Sequence, residues 1–442
     1  MSFPGYSEYK DSGVEWLGEV PITWAAGRLK HLLRIRGGQD YKAVESAEAN
    51  DYPVIGSGGQ FTYATSYLYD GESVLLGRKG TIDKPLYIQG RFWTVDTMFY
   101  TEVLPETNGR YAYYAATTIP FSLYSTNTAL PSMSQFDLAN HALPLPSYEE
   151  QTQIASFLDH ETAKIDALIR EQKRLIDLLQ EKHQAVISHA VTKGLKPNVP
   201  MKDPGVEWLG EVPAHWRVGK LRWYATIQGG LAKGKDYQDR ETISLPYLRV
   251  ANVQAGYVDL TEVKETVLLE SEVERYSLKP GDVLMNEGGD NDKLGRGAVW
   301  KAQVNPCLHQ NHVFAIRPNV HLLPEWLAMF TQSTRARSYF FLNSKQSTNL
   351  ASISSSNVMN LDLPMPPVAE QEKILQRLET ELQQFTNFLT QADKGVGLLL
   401  ERRSALISAA VTGKIDVRAW QPPADESAFD REVREAGLEA TA

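Results

Sequence analysis

Two motifs in this sequence approach known catalytic patterns, and each departs from its pattern at a point that the chemistry needs. The glycine-rich stretch Gly229 to Lys235 has the spacing of a phosphate-binding loop, but Asp236 follows where a Ser or Thr must hold magnesium. Glu171 to Lys173 has the Glu-x-Lys spacing of a nuclease, but it lies within a helical heptad pattern. The chain has no Asn/Asp-Pro-Pro-aromatic tetrapeptide, which would orient an amine for methyl transfer. No catalytic or cofactor-binding residue is therefore predicted.

Composition also argues against a metal centre or a membrane segment. The single cysteine, Cys307, excludes an internal disulfide and any zinc site built from several thiolates. The 9 histidines show no metal-ligand spacing, so no metal-binding residue is predicted. No apolar run reaches the ~18 residues of a membrane span, and no basic segment followed by an apolar one opens the chain. We expect a cytoplasmic protein of two to three domains.

Side chains suited to reading DNA bases gather in loops of two regions, residues 25–142 and 217–362. Arg and Lys read guanine, and the amides of Asn and Gln read adenine. Glycines beside such residues allow close approach of the backbone to a phosphate. Each side chain taken alone fits a solvated loop residue equally well, but two clusters at corresponding positions favour DNA contact. The predicted DNA-binding residues are Ser57, Arg78, Lys79, Thr126 and Asn127 in the first region, and Asn286, Lys293, Arg296, Gln310, Asn311, Lys345, Gln346 and Asn349 in the second.

An internal repeat surrounds these two regions. Lys10 to Trp24 and Lys202 to Trp216 are identical at 12 of 15 positions, at an offset of 192 residues. A closing motif, Leu143 to Pro146 followed by Glu-Gln, recurs at Leu363 to Pro366, but at an offset of 220. The 28 additional residues therefore all lie inside the second region. A constant frame around two different inserts indicates two recognition surfaces of different specificity.

The net charge of -9 opposes a nucleic-acid partner at first, because Lys and Arg supply most non-specific affinity for phosphate. Both inserts are nearly neutral, however, and residues 416–442 hold 3 basic and 7 acidic residues. We expect other subunits to provide much of the phosphate contact. The tail from Gln421 is not expected to fold.

A long helix is predicted to follow each closing motif. Ser147 and Glu150 form a capping box, which is typical of a helix start. Apolar residues then recur at heptad positions in both copies, which predicts an antiparallel pair of helices of about 40 residues, or roughly 60 Å. Gly395 and Gly397 are expected to weaken the second helix. The predicted packing residues are Leu158, Ile165, Leu168, Leu175, Leu179, Val186, Leu378, Phe385, Phe388, Leu399 and Leu406.

These repeated segments resemble the specificity subunit of type I restriction-modification enzymes. The resemblance rests on the Gly-Val-Glu-Trp-Leu-Gly-Glu-Val-Pro opening segment, the Leu-Pro-x-Pro closing motif with its acidic-Gln pair, and the long helix ending in a Val-Thr turn with Gly. It implies that each insert is a target-recognition domain for one half of a bipartite, asymmetric DNA target. It also implies that the helices act as spacer and docking platform. The implied partners are double-stranded DNA, two methyltransferase subunits that bring S-adenosylmethionine, and motor-nuclease subunits that bring ATP and magnesium.

The expected fold is mixed α/β, with two globular strand-rich target-recognition domains separated by a pair of long antiparallel helices in a pseudo-two-fold repeat. An alternative stays open, a non-catalytic protein-binding scaffold or adaptor with two variable binding domains. The predicted divisions are 1–24 for the first shared segment, 25–146 for the first recognition domain, 147–200 for the central helix and turn, 201–216 for the repeated shared segment, 217–366 for the second recognition domain, 367–415 for the distal helix and 416–442 for the acidic tail.

Overall fold

The computed structural model describes residues 3–49, 51–124, 131–232, 234, 237, 240–289, 294–346 and 351–422. The chain forms two compact units. Unit 1 consists of residues 1–174 and 392–442, and unit 2 of residues 175–391. Within the described ranges, no helix is both long and apolar enough to cross a membrane.

Unit 1 is built on a seven-stranded sheet with the order β4-β10-β8-β9-β6-β7-β5. One face of the sheet packs against helix α1, and a smaller apolar cluster around Phe92 and Met98 covers the other face. The strands are β1 (Tyr9–Asp11), β2 (Glu19–Pro21), β3 (Ala25–Arg28), β4 (Leu33–Gly37), β5 (Glu45–Ser46), β6 (Tyr52–Gly56), β7 (Gly59–Ala64), β8 (Tyr69–Gly77), β9 (Leu86–Thr94), β10 (Met98–Val103) and β11 (Ala142–Leu145). The helices are α1 (Gly109–Thr117), α2 (Phe121–Tyr124), α3 (Gln135–Asn140) and the first part of α4 (Tyr148–Lys193).

Unit 2 repeats the central strands of that sheet and divides the rest among smaller sheets. The order β15-β22-β18-β20 corresponds to β4-β10-β8-β9, and two three-stranded sheets hold β17-β16-β21 and β19-β24-β23. The strands are β12 (Met201–Lys202), β13 (Val212–Pro213), β14 (Arg217–Lys220), β15 (Ala225–Gly229), β16 (Ile243–Leu248), β17 (Lys264–Leu268), β18 (Val283–Asn286), β19 (Gly288–Gly289), β20 (Gly297–Val299), β21 (Leu308–His309), β22 (Val313–Pro318), β23 (Lys345–Gln346), β24 (Ala351–Ser352) and β25 (Asp362–Met365). The helices are α5 (Val273–Tyr276), α6 (Pro324–Thr331), α7 (Thr334–Leu342), α8 (Ser355–Met359) and the first part of α9 (Val368–Val411).

In both units the strand that directly follows the first repeated segment pairs with the closing motif. Strand β3 pairs antiparallel with β11, with Gly27 opposite Leu143, and β14 pairs with β25, with Gly219 opposite Leu363. Each insert therefore begins and ends on one short two-stranded sheet. Strands β11 and β25 contain the closing motif, β3 and β14 are the first residues of the two inserts, and both pairs have the same register.

The two long helices pack antiparallel within each unit. In unit 1 the Arg403 guanidinium forms two hydrogen bonds with the Asp166 carboxylate, at 2.8 and 3.1 Å. In unit 2 the rings of His183 and Phe385 meet edge to face, with 6.0 Å between centroids. In both contacts a residue of α4 meets a residue of the opposite half of α9. Together with the two strand-rich units, these helices confirm the predicted mixed α/β fold with an internal repeat.

Burial along the helices departs from the heptad prediction near their middles. The buried predicted packing residues lie toward the ends of the helices, where the strand-rich part of a unit also packs against them. Three predicted packing residues near the middle of the helices are exposed. A heptad repeat drifts by about 20° per seven residues around a straight helix, so a few errors of face are expected. Gly395 and Gly397 lie within the unbroken α9. The buried positions are Leu158, Ile165 and Leu378; the half-buried ones are Leu179, Val186, Phe385, Leu399 and Leu406; and the exposed ones, for which the packing prediction is wrong, are Leu168, Leu175 and Phe388.

Candidate nucleic-acid interface

In unit 1 several strands end along one edge of the sheet, and most of the predicted base-reading residues of this unit lie there. The backbone N–H groups of Arg78 and Lys79 both donate to the Thr97 carbonyl, at 2.9 and 3.1 Å, which ties the end of β8 to the start of β10. The Met133 N–H donates to the Arg78 carbonyl at 3.0 Å, and Lys79 forms a β-bridge with Ser132. We call this set, with Gly37 and Ser57, edge 1.

The Arg78 side chain is exposed at edge 1. Its Nη1 donates to the Asp96 carbonyl at 3.3 Å, and its guanidinium carbon lies 5.8 Å from the centroid of the Phe99 ring. Beside it is an open depression of about 510 Å³, lined in part by Lys79 and Tyr124. An exposed guanidinium in a shallow depression can approach a large polar ligand.

Ser57 lies at the same edge, in the turn between β6 and β7. The strand β6 runs parallel to β9, and the Ile55 carbonyl accepts hydrogen bonds from the Val95 N–H and the Thr94 hydroxyl, at 3.3 and 2.9 Å. The turn that contains Ser57 therefore follows directly on a strand that ends beside residues 94–97. Thr126 and Asn127 lie outside the described residues, which resume at Pro131, whose carbonyl accepts from the Gly80 N–H at 2.9 Å.

A buried histidine anchors the chain near edge 1. The Tyr124 hydroxyl lies 2.8 Å from the His141 Nδ1, and the Trp16 ring stacks on the imidazole with centroids 4.9 Å apart. Burial lowers the pKa of His141 to about 4, so the ring is neutral at pH 7. Trp16 is otherwise exposed. This contact holds the last described residue before segment 125–130 without placing a charge there.

Unit 2 has an equivalent edge at the ends of β15 and β18. The Glu287 N–H donates to the His312 carbonyl at 2.9 Å, and the Ile353 N–H donates to the Glu287 carbonyl at 2.8 Å. The strand β24 pairs with both β19 and β23, which brings Lys345 and Gln346 to the same place. Both of these side chains are exposed. We call residues 286–289, 310–312, 345–346 and 352–353 edge 2.

The structure brings some of the other predicted residues to edge 2, while Lys293 and Asn349 lie outside the described residues. Gln310 and Asn311 form the turn before β22 and are half-buried. Arg296 is also half-buried, and its Nη1 donates to the Gln254 Oε1 at 2.9 Å, a bond that holds a neighbouring loop.

The prediction that Asn286 contacts DNA is wrong. Asn286 is 1% exposed, and its Nδ2 donates to the Val253 carbonyl at 3.1 Å. A side chain so enclosed cannot reach a base edge, and it supports the backbone instead. Its amide group and its place beside glycines at a strand end favour DNA contact, but the sequence pattern does not reveal which way a strand's last side chain faces.

Two residues that sequence reasoning missed are Glu287 and His312. The Glu287 Oε2 lies 2.7 Å from the His312 Nδ1, and the two side chains are 30% and 56% exposed. The signal was present in the sequence, because Val74 to Lys84 aligns without a gap with Val283 to Lys293 and sets Glu287 opposite Arg78. Edge 1 therefore presents a cationic pair where edge 2 presents a carboxylate and an imidazole.

Comparison with known proteins supports the repeat and the fold. A family model described as "Type I restriction modification DNA specificity domain" matches residues 21–177 and again 213–393. The EcoKI specificity subunit of Escherichia coli (strain K12) is 26% identical over 291 residues, which are 65% of this chain and 60% of that protein. The EcoBI specificity subunit of Escherichia coli is 21% identical over 447 residues, covering 95% and 92%. The chain thus spans less than two thirds of EcoKI and nearly all of EcoBI.

A solved structure described as "Structural basis underlying complex assembly and conformational transition of the type I R-M system" contains a chain of similar fold. The TM-score is 0.64 at 13% identity, and the match covers 89% of this chain and 98% of that one. At this identity the likeness concerns the fold alone. Because the family model covers both repeats, and with them most of the sequence, the chain belongs to the type I restriction modification DNA specificity family.

Proposed function

We propose that this chain is the specificity subunit of a type I restriction-modification complex, in which each recognition domain reads one half of a bipartite, asymmetric DNA target. The observation that carries the proposal is the pair of edges. They lie at the same place in two copies of one domain and offer different polar side chains, among them Arg78 and Lys79 in unit 1 and Glu287, Lys345 and Gln346 in unit 2. Two equivalent scaffolds with different readers suit a target with two different halves.

Chemistry is assigned to partner subunits in this proposal. Methyltransferase subunits would bring S-adenosylmethionine, and motor-nuclease subunits would bring ATP and magnesium. This chain would hold no cofactor of its own and would act by positioning its partners on the target.

Exposed apolar residues on the long helices support docking of two copies of one partner. Unit 1 exposes Leu168 and Leu398, at 53% and 56%, and unit 2 exposes Phe388 and Leu178, at 55% and 53%. The offset that relates the two closing motifs also relates Leu168 to Phe388 and Leu178 to Leu398, so both units expose the same two frame positions. Large apolar side chains that recur in this way at equivalent surface positions are typical of a protein interface. Two methyltransferase subunits, one for each unit, fit this repetition.

The helices would also set the distance between the half-sites. Helix α4 has 46 residues and α9 has 44, and a rise of 1.5 Å per residue makes each about 65 to 70 Å long. Four residues inserted after Gln180, with four more after Leu400, add about one turn of 5.4 Å to each helix. The non-specific gap should then lengthen by one or two base pairs while the bases read stay the same. A methylome that keeps the original gap would show that the helices do not measure it.

The experiment that tests the whole proposal replaces one insert. We expect the full complex with residues 25–142 exchanged for a foreign insert to methylate a motif that is changed in one half and intact in the other. A change in both halves would contradict the modular assignment. Methylation without any sequence preference in the original complex would contradict the function itself.

The protein-binding scaffold remains the rival, and family membership does not favour it. The isolated chain is expected to bind DNA weakly under either function, since its net charge is -9 and both inserts are nearly neutral. The complex with the methyltransferase partner separates the two functions. Specific duplex binding by that complex supports the specificity subunit, and its absence supports the scaffold.

A further inference from the structure

Arg78 in unit 1 and Glu287 in unit 2 occupy the same backbone position. Each is the first residue after the third strand in the order of its sheet, β8 or β18. The N–H of each donates at 2.9 Å to a carbonyl of the neighbouring chain segment, that of Thr97 for Arg78 and that of His312 for Glu287. In both units the accepting residue directly precedes the neighbouring strand, β10 or β22.

A second pair of hydrogen bonds fixes the other side of this position. The Arg78 carbonyl accepts from the Met133 N–H at 3.0 Å, and the Glu287 carbonyl accepts from the Ile353 N–H at 2.8 Å. Met133 and Ile353 are related by the same offset as the two closing motifs. The offset of the closing motifs therefore also applies inside the inserts, as far as Met133 and Ile353. In each unit the backbone of the shared position, Arg78 or Glu287, is hydrogen-bonded through both its N–H and its carbonyl.

The side chains at this shared position have opposite charge. The Arg78 guanidinium is exposed beside Phe99, and its Nη1 donates to a backbone carbonyl. The Glu287 carboxylate is 30% exposed and is held by His312 at 2.7 Å. On a surface that faces DNA, a carboxylate is repelled by phosphates, so it favours binding only where it accepts a hydrogen bond from a base amino group.

We propose that this shared position reads one base of each half-site, a guanine through Arg78 and a cytosine through Glu287. The proposal rests on the proposed function, since it requires that both edges face DNA. Arginine forms two hydrogen bonds with guanine O6 and N7, and a carboxylate accepts from the N4 amino group of cytosine. His312 would act as a positioning residue that fixes the carboxylate orientation. Lys345 and Gln346 lie on β23, which pairs with β24 as does β19 (Gly288–Gly289) beside Glu287, and they would contact phosphates or neighbouring bases.

The test measures which sequences the complex of this chain with its methyltransferase partner methylates in a randomised duplex library. R78Q should lose the preference for guanine at one position of the first half-site, by about tenfold to a hundredfold, and leave the second half-site unchanged. E287Q should do the same for cytosine at one position of the second half-site. R78K keeps a cationic donor that can still reach guanine O6 and N7, so it should retain part of the guanine preference that R78Q loses.

Exposed residues of the same type elsewhere in each unit provide the controls. Arg91, on β9, pairs with Asp70, and Glu265, on β17, accepts a hydrogen bond from the Ser244 hydroxyl, so R91Q and E265Q should leave the motif unchanged. A uniform fall in methylation at every sequence in R78Q would assign Arg78 to phosphate and overturn the proposal. An unchanged motif in R78Q and E287Q would overturn it while the proposed function stands. A wild-type complex without sequence preference would overturn both.

Discussion

Unit 1 and unit 2 make the same hydrogen bonds at the closing motif, where each recognition domain meets its long helix. They carry different side chains at the two edges, where strands end in solvent. At the closure, Gln151 and Gln371 are both buried and make the same contacts. Each accepts from the backbone N–H of the residue before a helix, Asn108 before α1 or Leu323 before α6, at 3.0 Å, and donates to the proline carbonyl at the end of the closing motif, also at 3.0 Å. At the edges, Arg78 corresponds to Glu287. The closure is held by the two glutamine side chains, and the edges are held by backbone hydrogen bonds. Backbone hydrogen bonds leave the exposed side chains at the edges free to differ.

The largest effect is expected from a pair of matched glycines. A Cβ at Gly38 would lie 2.1 Å from the Val95 carbonyl oxygen, and a Cβ at Gly230 would lie 2.1 Å from the His309 carbonyl oxygen. Backbone cannot move as easily as a flexible side chain, so G38A and G230A should each lower the free energy of unfolding by roughly 3 kcal/mol. Urea unfolding of the full chain measures this.

The preceding glycines provide the control for this prediction. Gly37 and Gly229 have no atom within 4 Å of an added Cβ, and G37A and G229A should therefore change stability by under about 0.5 kcal/mol. If G38A destabilises strongly but G230A does not, the close strand approach is not shared, and the equivalence of the two edges is lost.

The buried glutamines should give the next largest effect. Gln371 is 0% exposed, and its side chain also donates to the His321 carbonyl at 3.0 Å. Q371L leaves a buried N–H and two carbonyls without this partner, so we expect a loss of about 2 to 3 kcal/mol, and a similar loss for Q151L. Q376L, at an exposed position of the same helix, should be nearly neutral. Unequal losses for the two buried positions would indicate that the closures differ in energy despite their equal geometry.

The sequence predicted the frame well because the repeat exposes it directly. Helix α4 was predicted to follow Ser147 and begins at Tyr148, and α9 ends at Val411, close to the repeated Val-Thr. In the sequence the acidic-Gln pair only marks the start of a long helix. In the structure the glutamine side chain joins the proline carbonyl of the closing motif to the backbone N–H of Asn108 or Leu323. Such a contact joins groups that are far apart in the sequence, and no local pattern encodes it.

The inserts were predicted less well, for physical reasons. The apolar runs Leu86 to Ile88 and Phe92 to Val95 each predict a strand, but β9 runs through both, with Gly90 inside it at φ 102. The stretch Pro324 to Ser333 predicts one helix, which ends at Thr331 and is followed by a second helix, α7, that the sequence pattern does not indicate. Whether a strand-end residue such as Asn286 faces solvent depends on tertiary packing, which periodicity does not contain.

A difference in pH response should follow from the residue that lies two positions before each closing motif. Unit 1 has the buried His141 there, and unit 2 has the buried Leu361. The pKa of His141 is about 4 in the fold and about 6.5 in an unfolded chain, so the unfolded chain takes up the proton first as the pH falls. The stability contributed by the neutral ring is complete above about pH 6.5 and decreases toward pH 4.

H141L should remove this part of the pH dependence. At roughly 1.4 kcal/mol per pH unit, the wild-type chain should lose about 2 kcal/mol more than H141L between pH 6.5 and pH 5. Thermal unfolding across this range measures the difference. H321L, at an exposed histidine, should retain the wild-type slope. Parallel pH profiles for the wild-type chain and H141L would show that the buried ring is protonated without cost to the fold.

The smallest effect concerns the helix pair, where unit 1 has an ion pair and the residues at the same frame positions of unit 2 cannot form one. Asp166 and Arg403 correspond to Thr386 and His183 at the offset of the closing motifs. The Asp166 and Arg403 side chains are 36% and 25% exposed, so solvent screens much of their attraction. A double-mutant cycle with D166N and R403Q should give a coupling energy of about 1 kcal/mol that decreases in 1 M salt. The cycle with T386A and H183A should give a coupling near zero, which salt does not change. Equal couplings in the two cycles would mean that apolar packing, rather than charge, joins the helices in both units.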